Sequence, residues 1–72
     1  MEPTYTSRNF GRALRHVRES RGLTQAEFAR SLRIGQNYLS KLEKGQRLPG
    51  YMTMRRMSHT LPIDFVHALL QA

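Results

Sequence analysis

Apolar residues in the first half of the chain recur at the spacing of an α-helix. The first such stripe, at positions i, i+3, i+4 and i+7, consists of Phe10, Ala13, Leu14 and Val17. A stripe of this period predicts a helix that buries one face. Gly22 follows the stripe, and a glycine just beyond the last periodic residue favours the left-handed backbone that ends a helix.

Two more helices are predicted in the middle of the chain. Thr24-Gln-Ala-Glu27 is a capping-box pattern, in which the threonine hydroxyl accepts from the Glu27 amide and the glutamate reaches back to the Thr24 amide. This box opens a second helix, whose apolar side consists of Phe28, Ala29 and Leu32. After a short break, a third helix is predicted over about residues 35–44 and ends at Gly45. Its buried side consists of Leu39 and Leu42.

The last part of the chain adds two short helices to the prediction. Residues 46–50, QRLPG, have the composition of a loop. A fourth helix is predicted from Tyr51 to Thr60, with a core-filling side formed by Met54, Met57 and Leu61. Pro62 stops this helix. Asp64 can then cap a final short helix that holds Phe65, Leu69 and Leu70.

These elements predict the fold class and the domain organisation. No strand-type alternation occurs in the sequence, so the predicted fold is all-α, a compact bundle of five short helices. Residues 1–8, with Pro3 and several hydroxyl groups, are predicted to form a flexible N-terminal arm. Residues 9–72 are predicted to form one domain, because a chain of 72 residues can build only one modest core.

The charge balance favours a polyanionic partner. Twelve Lys and Arg residues stand against five Asp and Glu residues, which gives a formal net charge of +7. Most of these cations are arginines, whose planar guanidinium suits bidentate contact with phosphate and guanine. Nucleic acid or an anionic membrane surface would complement this charge. A merely soluble basic protein would have the same composition, so charge alone leaves the partner open.

The outer face of the third helix carries side chains of the types that read DNA. On a helical wheel, Asn37, Lys41 and Lys44 lie opposite the leucines, and Gln36 and Ser40 flank them. Asn and Gln can bond N6 and N7 of adenine, and Lys can bond O6 and N7 of guanine. The amides stand in the first turn, which is the part of a recognition helix that meets base edges. A solvated helix face has a similar composition, so this helix alone leaves both interpretations open.

The segment before the third helix favours DNA binding. About three residues join the second and third helices, which is short enough to hold them at a steep angle. The segments GLTQAEFA (residues 22–29) and LSKLEKG (residues 39–45), followed by Pro49, resemble the Cro/CI-like, XRE-type helix-turn-helix domains of phage repressors and bacterial regulators. The resemblance covers about residues 10–70. It implies a lambda-repressor-like DNA-binding domain and a sequence-specific transcriptional regulator of double-stranded DNA, with repression as its mode.

The resemblance also assigns roles to individual residues. Gln36, Asn37 and Lys41 occupy the positions at which the family reads bases. Gln25 stands where the family uses a glutamine to bind a DNA phosphate and to brace the reading residues. The other positions that imply contacts with the DNA backbone, or supporting contacts, are Tyr38, Lys44 and Arg47.

Arg18 and Glu43 are candidates for a structural ion pair. Glu43 lies beside the buried side of the third helix, and Arg18 flanks the apolar stripe of the first. A carboxylate in such a place needs a partner, because an unpaired buried charge costs several kcal/mol. The resemblance implies that these two residues pair with each other, and that the pair is structural and not catalytic.

Two residues of the turn between the second and third helices depart from the family pattern. Arg33 stands where the family often has glycine, and Gly35 stands where it often has a serine or threonine cap. Glycine remains an acceptable cap. Arg33 is expected either to adopt a left-handed backbone or to give the turn a slightly different shape.

No catalytic residue, metal site or cofactor is predicted. The three histidines, His16, His59 and His67, lack metal-ligand spacing, and the chain has no cysteine. Nothing resembles a nucleophile turn or a glycine-rich phosphate loop. No apolar run approaches the roughly 18 residues that a membrane span needs. The protein is expected in the cytoplasm, and the resemblance implies a bacterial or phage-encoded protein associated with the nucleoid.

The C-terminal run FVHALLQA (residues 65–72) is more apolar than one helical stripe can hold. Homodimerisation through the C-terminal helices is therefore predicted, and the alternative is ordinary core packing with a frayed end. The same apolar run leaves a second function open, that of an antitoxin-like or adaptor module whose main role is binding a partner protein. A third possibility is nonspecific binding of nucleic acid by a basic protein.

Overall fold

The computed structural model describes residues 6–61, and they form four α-helices without any strand. The helices are α1 (Ser7–Ser20), α2 (Gln25–Leu32), α3 (Gln36–Glu43) and α4 (Tyr51–Ser58). The all-α prediction is confirmed for this part of the chain, but five helices are not found in it. The predicted fifth helix and the C-terminal run assigned to dimerisation fall within residues 62–72, outside the described residues.

Helix α1 begins two residues before the predicted domain boundary. Thr6 has an extended backbone, and its hydroxyl accepts a hydrogen bond from the amide of Asn9 at 3.1 Å. A threonine cap of this kind satisfies one of the amides that have no partner inside the helix. Ser7 and Arg8, which the pattern assigns to the flexible arm, therefore belong to the first turn of α1.

Helix α4 ends at Ser58, two residues before the predicted end, and the chain continues there as a turn.

The predicted capping box at the start of α2 is present. The amide of Glu27 donates to the Thr24 hydroxyl at 3.1 Å, and the amide of Thr24 donates to the Glu27 carboxylate at 2.8 Å. The hydrogen bond from the Thr24 amide favours the charged carboxylate and is the main reason why the pKa of Glu27 is lowered. The first turn of α2 is therefore fixed by residues that are close in sequence.

One apolar core joins all four helices. Helix α3 packs against both α1 and α2, so its apolar side is covered while its opposite side remains open. Every residue predicted for the stripes of α1, α2 and α3 is buried. The core consists of Phe10, Ala13, Leu14, Val17, Phe28, Ala29, Leu32, Leu39, Leu42, Met57 and Leu61.

The first three helices end in the same way, with a residue in the left-handed region. These residues are Gly22 (φ 68°), Arg33 (φ 60°) and Gly45 (φ 76°). At each end, two amides beyond the helix donate back to carbonyls of its last turn, at distances of 3.0 to 3.1 Å. This is the Schellman arrangement, which glycine adopts without steric cost. The left-handed alternative predicted for Arg33 is thus confirmed, and only this end carries a side chain.

Gly11 allows α1 and α3 to approach closely. A Cβ atom at this position would lie 2.7 Å from the carbonyl oxygen of Glu43 and closer still to that of Leu42. Both neighbours are backbone atoms, which cannot move aside as a side chain would. The absence of a side chain at Gly11 therefore sets how α3 lies against α1.

Within residues 6–61, no helix is both long and apolar enough to cross a membrane.

Candidate nucleic-acid interface

The exposed face of α3 carries the three residues predicted to read bases. Gln36, Asn37 and Lys41 are all exposed, whereas Leu39 and Leu42 on the other side are fully buried. Positions 37 and 41 are one helical turn apart, so their side chains are neighbours on the surface. The structure thus brings two amides and an ammonium group together on the one side of α3 that the core does not cover.

The N-terminus of α3 has backbone amides that no side chain caps. Gly35 is the capping residue, with an extended backbone (φ −73°, ψ 149°), and it supplies no side-chain acceptor. The first backbone hydrogen bond of the helix is donated by the Leu39 amide to the Gly35 carbonyl at 3.0 Å. The amides before it point out of the helix end, where the helix dipole is positive. An acceptor on a bound partner can therefore meet them there.

A shared carboxylate links α3 to the two helices that support it. The Arg18 guanidinium donates to the Glu43 carboxylate through Nε at 2.8 Å and through Nη2 at 3.1 Å. Its remaining Nη1 donates to the Leu23 carbonyl at 3.1 Å. The side chains of Arg18 and Glu43 are only 14% and 4% exposed. The hydrogen bond to Glu43 is the main reason why the pKa of Arg18 is raised, and burial opposes it.

Gln25 also donates to this carboxylate. Its Nε2 atom lies 3.1 Å from Oε1 of Glu43, and the residue is partly buried at the start of α2. An amide nitrogen carries two hydrogens, so the contact with Glu43 leaves one hydrogen for a second acceptor. The sequence assigns Gln25 to a phosphate but gives no sign of its bond to Glu43, because the packing of α2 on α3 creates it.

The other predicted contact residues lie in different environments. Lys44 is the exposed residue that follows α3, and Arg47 is exposed in the loop before α4. Tyr38 is partly buried and packs against the core. Only part of the Tyr38 side chain is therefore available for contact with a partner.

Arg8 lies next to the end of α3, although the sequence pattern places it in a flexible arm. A Cβ atom built on Gly45 would lie 3.0 Å from the Cα atom of Arg8, and the Arg8 side chain is exposed. The start of α1 and the end of α3 thus bring the cations of Arg8 and Lys44 to one region. The capping pattern at Thr6 is the sequence signal that extends α1 to include Arg8.

Within residues 6–61, no three His, Asp or Glu side chains group in a way that could hold a metal ion. A family model described as a helix-turn-helix domain matches residues 9–72 of the chain. No curated protein and no solved structure gave a match.

Proposed function

Because the chain belongs to the helix-turn-helix domain family, which indicates a DNA-binding regulator, we propose that it binds specific sequences in double-stranded DNA. In this proposal α3 enters the major groove and α2 lies across the backbone, as in other helix-turn-helix domains. The observation that carries the proposal is the exposed face of α3, on which Gln36, Asn37 and Lys41 converge. Helix-turn-helix domains are typically not enzymes, and the proposal assigns no catalytic step.

Base recognition follows from the chemistry of these three side chains. The amides of Gln36 and Asn37 can each donate to and accept from one adenine edge, and the ammonium group of Lys41 can donate to O6 and N7 of guanine. Each such pair discriminates against the wrong base by about 1–3 kcal/mol. The rigid packing of Leu39 and Leu42 in the core supports a fixed orientation for these groups.

Contacts with phosphates would hold the domain in register. Gln25 can donate its second amide hydrogen to a phosphate while its first remains on Glu43. A phosphate held in this way is connected through Gln25 and Glu43 to the end of α3. The same side chains would therefore hold the DNA backbone and fix the position of the helix that reads the bases. Lys44 and Arg47 would supply further cationic contacts, together with Arg8 beside the end of α3. These contacts orient the protein without reading sequence.

Repression is the mode of regulation that we propose, because occupying an operator excludes other proteins from it without any further activity. The same proposal includes a homodimer, with its two recognition helices one turn of DNA apart, and a cytoplasmic location on the nucleoid. The net charge of +7 supports rapid association with the duplex by electrostatic steering.

The experiment that tests this function is selection of the purified protein against a randomised duplex library at physiological salt. Enrichment of one motif is expected, with two half-sites of opposite orientation if the protein acts as a dimer. A triple variant with alanine at positions 36, 37 and 41 is the control, and it should retain binding but lose the motif. Failure of the native chain to enrich any motif would contradict the proposal. That result would favour either nonspecific binding of nucleic acid or an antitoxin-like or adaptor module that acts on a partner protein.

A further inference from the structure

A surface cavity of about 370 Å³ lies between the C-terminal ends of α2 and α4. The side chains around it are strongly biased towards donors of hydrogen bonds. Of residues 6–61, those that line it are Ser31, Leu32, Arg33, Arg56, His59 and Thr60. Two of these are arginines, one is a histidine and two carry hydroxyls, and none of these six is a carboxylate. The proposed DNA contacts use no residue of this set.

The backbone of Arg33 indicates that its side chain is needed in this place. Gly22 and Gly45 occupy the equivalent position at the ends of α1 and α3, where a left-handed residue closes the helix. Arg33 adopts the same conformation at the end of α2 with φ 60°, although a side chain makes it sterically unfavourable. Residues held in such conformations cluster at functional sites. Glycine would adopt this left-handed backbone without the steric cost, so the arginine at position 33 indicates a role for its guanidinium group.

Arg56 brings a second guanidinium to the same cavity. Its Nη1 atom lies 3.5 Å from the Arg33 carbonyl oxygen, which connects α4 to the end of α2. Arg33 and Arg56 both line the cavity, and an anion bound between two guanidinium groups would offset their mutual repulsion. The described carboxylates have other partners. Glu19 pairs with Arg15, Glu43 pairs with Arg18, and Glu27 bonds the Thr24 amide.

We propose that this cavity binds a phosphate group. Arginine forks match the geometry of phosphate oxygens, and the hydroxyl of Thr60 and the ring of His59 can complete the set of donors. The volume lies at the lower end of the range for small-molecule sites. Among the described residues of the lining, Leu32 is the one apolar side chain, and it is buried, so polar side chains make up most of the lining. The group recognised is therefore the phosphate itself, carried either by a small polar molecule or by a DNA backbone.

The test is a titration of the free protein with inorganic phosphate, followed by nuclear magnetic resonance of its backbone amides. Sodium chloride keeps the ionic strength constant, so that general screening does not change. Saturable shifts are expected at residues 31–33 and 59–60. Arg56→Gln should weaken binding by about tenfold or more, because it removes a charge-assisted contact. Arg55→Gln removes the same charge from an exposed neighbour outside the cavity, and it should bind within about twofold of the native chain.

Arg33→Gly distinguishes a role of Arg33 in phosphate binding from a role in the stability of the fold. Glycine suits the left-handed backbone, so this variant should melt at a higher temperature than the native chain and yet lose phosphate binding. The proposal is overturned if the native chain shows no saturable shifts, if Arg55→Gln and Arg56→Gln weaken binding equally, or if Arg33→Gly binds phosphate as the native chain does.

A second titration, with duplex DNA, identifies the source of the phosphate. If the group belongs to DNA, Arg56→Gln should lower DNA affinity and reduce the salt dependence of binding by about one unit. If a small molecule supplies it, Arg56→Gln and Arg55→Gln should bind DNA equally well. Either result is compatible with a phosphate site in this cavity. The inference goes beyond the proposed function, and the phosphate titration can fail while DNA recognition stands.

Discussion

Glu43 accepts hydrogen bonds from Arg18 through both of its carboxylate oxygens, at 2.8 and 3.1 Å. Because Glu43 also accepts from Gln25 at 3.1 Å, one carboxylate near the end of α3 is bonded to α1 and to the start of α2. The side chains of the pair are largely covered, so the loss of one contact leaves a charge that water reaches poorly. The position of α3 therefore depends in part on a partly buried charge.

Replacing Glu43 by glutamine should destabilise the domain by about 2–3 kcal/mol, because it removes the negative charge that pairs with Arg18 and replaces one acceptor oxygen by an NH2 group that faces other donors. Thermal unfolding followed by circular dichroism measures this loss. Glu19→Gln is the matched control. It breaks an ion pair whose side chains are 63% and 55% exposed, so its effect should stay below about 1 kcal/mol. Equal effects of the two substitutions would show that the Arg18–Glu43 pair contributes no more to the stability of the fold than an exposed ion pair does.

Gly11→Ala should destabilise the protein by at least about 2 kcal/mol, because the added methyl group meets two backbone carbonyls of α3. The measurement is the free energy of unfolding in urea. Gly50→Ala is the control, since a Cβ atom there has no neighbour within 4 Å and only the helix cap changes. Its cost should remain under about 1 kcal/mol. A native-like stability for Gly11→Ala would mean that α1 and α3 can separate more easily than their contact suggests.

Lys41→Ala should relax sequence preference at one base pair, with a loss of discrimination of about 1–3 kcal/mol there. Competition binding with a panel of singly substituted operators measures this. Lys44→Ala, which removes the same charge after the end of α3, should lower affinity for all members of the panel to a similar extent. If both variants lost affinity uniformly, Lys41 would be a phosphate contact and not a base reader.

Arg47→Ala should weaken binding to every duplex alike and reduce the slope of log affinity against log salt by about one unit, as expected when one phosphate contact is lost. Arg15→Ala changes the net charge by the same amount. Arg15 is paired with Glu19 on α1, and its loss should leave the slope nearly unchanged. A normal slope for Arg47→Ala would place Arg47 outside the interface.

Arg33→Gly should stabilise the fold by up to about 1 kcal/mol, because the left-handed backbone costs glycine nothing. Chemical denaturation of the native chain and the variant measures the difference. Arg30→Gly is the contrasting substitution, because Arg30 is an ordinary residue of α2 and glycine inside a helix should cost about 1 kcal/mol. A loss of stability in Arg33→Gly would mean that the arginine side chain itself supports the turn.

The sequence predicts the elements that depend on near neighbours. The apolar stripe from Phe10 to Val17, the capping box at Thr24 and the left-handed Gly22 are local features, and each of them is found in the structure. The helix-turn-helix domain that the resemblance predicts is confirmed by the family match over residues 9–72. The start of α1 differs because the cap at Thr6 extends the helix beyond the apolar stripe, to Ser7.

Contacts between distant parts of the chain are harder to predict from the pattern. The bond of Gln25 to Glu43 and that of Arg56 to Arg33 join residues that are 18 and 23 positions apart in sequence. No spacing rule connects such residues, since the packing angles of the helices decide which side chains meet. The roles of Gln36, Asn37 and Lys41 stay predictions, because their exposure on α3 is what any solvated helix face would also show.

The fixed length of α3 limits how much sequence one copy of the domain can distinguish. Gly35 begins the helix and Gly45 closes it, so its eight residues span about 12 Å. That distance corresponds to roughly four base steps of duplex, so one domain can distinguish about 250 sequences of four base pairs. A genome offers on the order of a million or more competing positions, so any one of these sequences recurs thousands of times. A second copy of the domain that reads the adjacent turn would lower the number of matching positions by about another 250-fold, to the order of ten in a million, so a pair of domains selects far fewer sites than one domain alone.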